Sequence, residues 1–182
     1  SVTSGKLIIE ACMIKNNTTE GQFANGGGIF TRGDISVDNC TFSTNCVTTG
    51  SGGGIYSGGY VTICNSLIYD NDANSFFIPD SRFGNGGGIY ANGDISINKS
   101  TISGNVAQGK SGTGGGIYTA GSVNISQSII SNNIATGLNC GYGAGIAAYG
   151  NVILNESTIS GNLYGGGIIA NGNVLVTRSS IT

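Results

Sequence analysis

One group of side chains in this chain could carry acid–base chemistry. Asp70, Asp72 and Asp80 form the only acidic cluster, and histidine is absent from the 182 residues. Cleavage of a polysaccharide needs paired carboxylates, or a base, beside a groove. An enzyme of this kind would degrade an acidic polysaccharide and would lose activity in variants of Asp70 or Asp80. Because histidine is the commonest general base and metal ligand, its absence leads us to expect a protein without catalytic residues, cofactor or metal.

A sequence repeat positions these side chains. Its anchor is Gly-Gly-Gly-Ile-aromatic, and the clearest copy, GGGIYANGDISINKSTISGN, begins at Gly86 and ends at Asn105. The other copies begin at Gly26, Gly52, Gly114, Gly143 and Gly165, and a truncated copy occupies the N-terminus. All variation in length falls between the closing Asn and the next glycine triplet. This pattern is typical of closed structural units that carry a loop on one side.

Within each repeat, apolar and polar residues alternate, as in residues 94–98 and 101–103. Such alternation predicts short strands with one buried face. Three strands per repeat form one turn of a coil, and stacked turns pair each strand in parallel with its copy ~4.8 Å away. The prediction is an all-β parallel β-helix of about seven coils of about 22 residues, with variable loops on one side. Residues 1–182 form one such domain, a fragment or mature piece of a longer surface protein.

Stacking places identical residues in columns. Four columns are aliphatic and predicted to point inward: Ile29/Ile55/Ile89/Ile117/Ile146/Ile168, Ile35/Val61/Ile95/Val123/Val152/Val174, Val37/Ile63/Ile97/Ile125/Leu154/Val176 and Phe42/Ile68/Ile102/Ile130/Ile159/Ile181. The glycines predict corners with positive φ or close stacking of backbones. A column of asparagines closes each repeat: Asn17, Asn45, Asn71, Asn105, Asn133 and Asn162. Asparagine tolerates the left-handed conformation, and stacked amides can hydrogen-bond from turn to turn.

The anchor motif and the segment Phe42-Ser43-Thr44-Asn45 resemble the GGA-Ile and Phe-x-x-Asn repeat of bacterial polymorphic outer-membrane proteins. The chain is also similar to the wider group of right-handed β-helix repeat surface proteins, because GGG replaces GGA and Ile replaces Phe in most copies. The resemblance covers nearly the whole chain. It implies a right-handed coil, export to the cell surface, and adhesion or self-association, and it carries over no catalytic residue.

An aromatic column next to the inward isoleucines is the first candidate binding surface. It consists of Phe30, Tyr56, Tyr90 and Tyr118, which should face outward. Stacked aromatic rings could form a platform for sugar rings. The alternative is that neighbouring rings only stabilise the sheet through cross-strand contacts. The column ends at Ala147 and Ile169, which favours this second interpretation.

A row of outward hydroxyls is the second candidate. Its members are Thr41, Ser43, Thr101, Ser103, Thr158 and Ser160. A flat hydroxyl array with regular spacing resembles the surface that ice-binding solenoids use, although Leu67 and Ile129 interrupt this one. Thr and Ser are also ordinary solvent-facing strand residues.

The longest gap between two repeats, residues 72–85, is the third candidate. It contains Phe76, Phe77 and Arg82. Long loops on rigid scaffolds commonly carry function. The alternative is that the aromatic side chains fold back and cover the side of the solenoid.

The number of cysteines is five, which is odd. Cys12 and Cys40 share the column that serine holds in the other repeats. Adjacent turns would place their Cα atoms ~5 Å apart, which permits a disulfide. Two free thiols that replace small serines are the other interpretation.

We therefore expect a non-enzymatic, extracellular structural or adhesive module of the bacterial cell surface. Its expected partners are a host-cell or matrix surface, a glycan, or like subunits stacked end to end. A net charge of −2 gives no reason to bind nucleic acid, and no apolar run approaches 18 residues, so no direct membrane insertion is expected. The alternative is a solenoid that binds ice or polysaccharide, which thermal hysteresis and a glycan array would separate.

Overall fold

Equivalent residues of successive repeats pair with one another along the molecule. In the computed structural model, which describes residues 5–21, 24–75, 84–109, 112–137 and 142–182, Ile89 pairs with Ile55 of the preceding repeat and with Ile117 of the following one. Pairings of this kind build four sheets of parallel strands, and no described residue is helical. The protein is a parallel β-solenoid of seven coils, as the repeat predicts.

Each coil passes through up to four short strands, which belong to four sheets. The first sheet follows the glycines and contains Ile29–Thr31, Ile55–Ser57, Ile89–Ala91, Ile117–Thr119, Ile146–Ala148 and Ile168–Ala170. The second contains Lys6–Glu10, Asp34–Asp38, Val61–Cys64, Ile95–Asn98, Val123–Ser126, Val152–Asn155 and Val174–Thr177. The third contains Met13–Lys15, Thr41–Ser43, Leu67–Tyr69, Thr101–Ser103, Ile129–Ser131, Thr158–Ser160 and Ser180–Ile181. The fourth contains Thr18–Thr19, Cys46–Val47, Asp72–Asn74, Val106–Gly109 and Ile134–Gly137.

The fourth sheet corrects the prediction of three strands per repeat. Its strands begin directly after the closing Asn of five coils, at the start of what the sequence presents as a loop of variable length. Four of the five strands contribute one residue each to a fifth buried column, two positions after that Asn: Val47, Ala73, Ala107 and Ala135, each 0% exposed. The column consists mainly of alanine, so its hydrophobic signal in the sequence is weak.

The four predicted aliphatic columns form the core. Their members in the middle coils are buried, and they pack into one continuous hydrophobic cluster along the axis. In the last coil, the column members Val174, Val176 and Ile181 are between 42% and 47% exposed, because they have a neighbouring coil on one side only. The core is thus a stack of equivalent layers.

The closing asparagines form a continuous ladder inside the solenoid, and this prediction is confirmed. We call Asn17, Asn45, Asn71, Asn105, Asn133 and Asn162 the asparagine ladder. Each Nδ2 donates to the Oδ1 of the next member at 2.9–3.0 Å. The same Oδ1 also accepts from the backbone N–H of the preceding member, as in the 3.0 Å bond from Asn71 to Asn105. Because the ladder satisfies both the donor and the acceptor, the amide can be fully buried.

The prediction of a left-handed backbone at the ladder asparagine is wrong. The left-handed residue at this corner is the one before it. That position has positive φ in Asn16, Thr44, Asp70 and Asn132. A second left-handed corner separates the second sheet from the third, and it contains residues such as Lys99 and Glu156. The ladder asparagine is therefore retained for its amide and not for its backbone conformation.

The glycine triplet satisfies both predicted requirements, at different positions. Gly86 has φ of +65°, a left-handed corner. Gly88 lies where a Cβ would approach the carbonyl oxygen of Gly116 to 2.7 Å and Cγ of Asn105 to 3.0 Å. The backbone of the next coil and the asparagine ladder therefore leave no room for a side chain there.

A second ladder, of hydroxyls, runs between the second and third sheets. The backbone N–H of each serine in this column donates to Oγ of its counterpart on the next coil, as from Ser100 to Ser128 at 3.1 Å. The Oγ in turn donates to the carbonyl oxygen two residues before it, as from Ser100 to Asn98 at 2.7 Å. Cys40 continues this pattern, since its Sγ accepts from the backbone N–H of Cys12 at 3.3 Å.

Candidate binding surface

The predicted aromatic column is a stack of rings on the outer face of the first sheet. Its centroids are 5.2, 4.7 and 5.1 Å apart from Phe30 through Tyr56 and Tyr90 to Tyr118, and the rings are within 20° of parallel. We call these four residues the aromatic ladder. The two inner rings have a stacked neighbour on both faces. A sugar ring therefore cannot stack face to face on them, and the ladder stabilises the sheet.

The aromatic ladder ends at Tyr118. Ala147 takes the register position of the next ring, and Ile169 the one after it. Tyr149, from the same coil as Ala147, contacts Tyr118 edge to face, with centroids 6.2 Å apart and an angle of 73° between the planes. The missing ring leaves a gap in the outer row.

A cleft of about 170 Å³ opens at this gap. Tyr118, Tyr142 and Tyr149 line it together with Ala147 and Ala148. Ile169, Thr113 and Asn171 complete the lining. We call this the Tyr118 cleft. Its lining residues combine aromatic and aliphatic surface with phenol, hydroxyl and amide groups, and none of them is charged.

Two phenols of the aromatic ladder, those of Tyr118 and Tyr90, stay protonated. Burial, together with the neighbouring phenols of Tyr149 and Tyr90, raises the pKa of Tyr118. Burial, followed by Tyr56 and Tyr149, also raises the pKa of Tyr90, whose hydroxyl lies 3.2 Å from Oδ1 of Asn92. The hydroxyl of Tyr118 is therefore neutral, and its hydrogen bond with the Tyr149 side chain contributes to the raised pKa.

A larger groove, of about 490 Å³, lies on the outer face of the second sheet. The exposed side chains of Thr62, Ser96 and Asn124 lie on its floor in one register column. Tyr60 and Asn151 lie on the corner that borders it. The residues of this groove vary in type from coil to coil, so the repeat does not predict it.

The hydroxyl row lies on the third sheet, and the structure corrects one of its members. Thr41, Thr101 and Thr158 are in one register column, which Leu67 and Ile129 interrupt. These two apolar side chains are 47% and 46% exposed.

Ser43, predicted to face the solvent, is only 4% exposed. Its register neighbours are Lys15 and Tyr69, whose longer side chains flank it. The hydroxyl row is therefore neither continuous nor uniformly accessible.

The predicted site in the long loop lies outside the described residues, since Phe76, Phe77 and Arg82 all fall in the undescribed range 76–83. Asp72, which precedes it, is in a strand. Burial raises the pKa of Asp72 to about 6. Its Oδ1 is buried without a hydrogen-bond partner in the described part of the chain, and Oδ2 accepts from Nε2 of Gln108 at 3.4 Å.

Cys46 pairs with Asp72 in the fourth sheet. Burial, followed by the carboxylates of Asp72 and Glu20, raises the pKa of the Cys46 thiol. This thiol is therefore poorly reactive at neutral pH.

Cys12 and Cys40 are on adjacent coils, and both are free thiols in the structure. The Cys12 thiol donates to the carbonyl of Glu10 and the Cys40 thiol to that of Asp38, at 3.0 Å each. The thiols therefore occupy the place of serine hydroxyls in the hydroxyl ladder. Among the described residues, no three His, Cys, Asp or Glu side chains are grouped so that they could hold a metal ion. The same residues contain no helix that is long and apolar enough to cross a bilayer.

The fold and its outer surface define a class of protein: a seven-coil parallel β-solenoid with an interrupted aromatic row on its outer surface. Compared with known proteins, the chain matches no family model, no curated protein and no solved structure. The resemblance to the repeat of polymorphic outer-membrane proteins therefore stays a prediction.

Sequence reasoning missed three residues of the Tyr118 cleft. Tyr142 and Tyr149 lie outside the aromatic column, and Ala147 appeared only as the end of that column. The signal was present in the repeat: the copy that loses its aromatic residue at Ala147 has tyrosines five residues before and two residues after that position.

Proposed function

We propose that this protein is a non-enzymatic structural and adhesive module that works outside the cell, at the bacterial cell surface. The proposal rests on the hydrogen bonds that connect each coil to the next along the whole solenoid. Three or four parallel sheets link each coil to the next, and two side-chain ladders run along most of the length, so that the scaffold can hold outer side chains at fixed spacing. A module that binds at a surface needs such a scaffold, because side chains fixed in advance lose less entropy on binding.

The composition of the outer faces supports binding to a neutral surface. Only 16 of the 182 residues are charged, seven basic and nine acidic. The exposed rows contain hydroxyl and amide side chains with single large apolar residues between them, such as Leu67 at 47% exposure. Such a surface offers hydrogen bonds and apolar contact without electrostatic steering.

The proposal is tested by adhesion of protein-coated beads. Beads that carry the folded chain should attach to cultured host cells or to extracellular matrix, whereas beads that carry the heat-unfolded chain should not. Antibodies against the chain should label intact cells of the bacterium that produces it. Attachment no greater than that of the unfolded control would contradict the adhesive role.

The non-enzymatic part of the proposal has a separate test. The chain should release no reducing ends or unsaturated products from acidic polysaccharides. Release that is lost in Asp72→Asn would overturn it, because this carboxyl has a raised pKa, as a general acid would.

A further inference from the structure

We infer that the Tyr118 cleft binds a single neutral sugar ring, a pyranose at the end or in the middle of a glycan. The inference rests on the proposed adhesive function and names its ligand class. Three features of the cleft carry it: the missing rung of the aromatic ladder, the arrangement of the remaining rings, and the uncharged polar groups among its lining residues.

The missing rung provides a space that is sized for one ring. Tyr118 has a stacked partner at 5.1 Å on one side, Tyr90. On the other side the register partner is Ala147, which is only 5% exposed and so forms a floor. The volume of about 170 Å³ is well below the ~300–1,000 Å³ of pockets for drug-sized ligands. The cleft can therefore take one ring and not an extended ligand.

The side chains around this space match an amphipathic ring. A pyranose has an apolar C–H face and a rim of hydroxyls. Tyr142 and Tyr149 are 49% and 59% exposed, so both can contact a ligand. The aromatic rings can pack against the C–H face. The tyrosine hydroxyls and Asn171 can exchange hydrogen bonds with the sugar hydroxyls, and Oγ1 of Thr113, which donates to Oδ1 of Asn85, can accept one.

The uncharged lining favours a neutral sugar over a cation. Tyrosine rings also surround quaternary ammonium groups in aromatic cages. A quaternary ammonium group cannot donate hydrogen bonds, however, so it would leave the phenol, hydroxyl and amide oxygens of the lining unused. None of the described residues that line the cleft is a carboxylate that could balance the charge of such a ligand.

The test is a titration followed by nuclear magnetic resonance of the ¹⁵N-labelled chain. The probes are the methyl glycosides of glucose, galactose and N-acetylglucosamine, with choline chloride as a cationic comparison. We expect at least one glycoside to shift the amide signals of Ala147 and Ala148 saturably, with a dissociation constant on the order of 1 mM. Choline should leave these signals unchanged.

Two variants locate the site. Ala147→Tyr should fill the cleft with the missing rung and weaken glycoside binding at least tenfold. Tyr56→Ala removes a ring of the same ladder two coils away from Tyr118, and it should change the affinity less than twofold. If Ala147→Tyr fails to fold, as the signals of distant residues such as Asn71 would show, Tyr142→Ala replaces it, with an expected loss of at least threefold.

Three results would overturn the inference. They are the absence of saturable shifts with every glycoside, saturable binding of choline alone, and glycoside binding that Ala147→Tyr leaves unchanged. Bead adhesion separates this failure from that of the proposed function. If the unsubstituted chain adheres and Ala147→Tyr adheres equally well, the cleft is not the adhesive site while the adhesive function stands. If the unsubstituted chain does not adhere, the adhesive function itself fails.

Discussion

The asparagine ladder and the aromatic ladder run along the same axis, one inside the solenoid and one outside. The inner ladder is unbroken from Asn17 to Asn162. The outer ladder stacks four rings and stops at Tyr118. A buried amide without its partners has a high free-energy cost, whereas an exposed ring without a stacked neighbour has a low one. The buried ladder therefore requires the same residue in successive coils. The exposed positions can vary from coil to coil, and this variation can produce a cleft.

The largest effect should come from removing one inner rung. Asn105→Ala leaves the backbone N–H and Nδ2 of Asn71 without their acceptor and removes the donor to the carbonyl of Ile68. We expect the free energy of unfolding to fall by about 2–5 kcal/mol, measured by urea unfolding. The matched control is Asn17→Ala at the exposed end of the ladder, which should lose about 0.5–1.5 kcal/mol. Equal losses in the two variants would mean that the ladder has no special role.

A side chain forced against the inner ladder should have the next largest effect. In Gly88→Ala the new methyl group meets the carbonyl of Gly116 and the amide of Asn105, and we expect a loss of about 1–3 kcal/mol or more. Gly167 holds the same position in the last coil, where the nearest atoms are methyl groups at 3.2 and 3.3 Å. Gly167→Ala should therefore unfold at nearly the urea concentration of the unsubstituted chain. A loss as large as that of Gly88→Ala would contradict the steric explanation.

Replacing a buried polar group that lacks its full set of partners should have the opposite effect and raise the free energy of unfolding. The pKa of Asp72 is raised to about 6, so its charged form is disfavoured in the folded chain. Its contribution is therefore most favourable below about pH 4 and is lost as the pH rises to about 6. Asp72→Asn removes this charge, and at pH 7 it should raise the free energy of unfolding by about 1–3 kcal/mol.

The pH profile provides the control for this substitution. The gain of Asp72→Asn in urea unfolding should disappear below about pH 4, where both chains are neutral at this position. A gain that is the same at pH 3.5 and pH 7 would show that ionisation of Asp72 is not its cause.

The outer ladder should be less sensitive than the inner one. Tyr90→Ala removes stacked contacts with Tyr56 and Tyr118, and we expect a loss of about 0.5–2 kcal/mol. Phe30→Ala removes one such contact and should lose about half as much. If Tyr90→Ala destabilises the chain as much as Asn105→Ala, the contrast between the two ladders is wrong.

The smallest effect should come from extending the outer ladder. Ala147→Tyr would place a ring beside Tyr118 and should raise the free energy of unfolding by about 0.2–1 kcal/mol. The midpoint temperature of thermal unfolding should rise as well. A clear destabilisation would mean that Ala147 is required for packing, and the cleft would then not be an open position of the ladder.

The repeat alone was sufficient to predict the solenoid, its core columns and the asparagine ladder. These features recur at fixed positions, so each column repeats one residue type several times. The fourth sheet could not be predicted, because Cys46–Val47 and its copies are short, contain small residues and begin the segment whose length varies. The left-handed corner before each ladder asparagine could not be predicted either, because Thr44, Asp70 and Gly104 share no side-chain type.

The candidate site was harder to predict than the fold. The Tyr118 cleft depends on Ala147, a departure from the repeat, and on Tyr142 and Tyr149, which have no counterparts in the aromatic column. The columns predict only side chains that recur from coil to coil, whereas this cleft depends on side chains that occur in one coil. The burial of Ser43 likewise depends on its neighbours Lys15 and Tyr69 in the adjacent coils.

The central claim, that a buried and unbroken asparagine ladder ties the coils together, can be tested by exchange of the side-chain amide protons in the ¹⁵N-labelled chain. The inner members Asn71, Asn105 and Asn133 should exchange far more slowly than Asn98, whose side chain is exposed on the second sheet. In Asn105→Ala, protection should fall first at Asn71, which loses its acceptor. Exchange of the inner amides as fast as that of Asn98 would contradict the account.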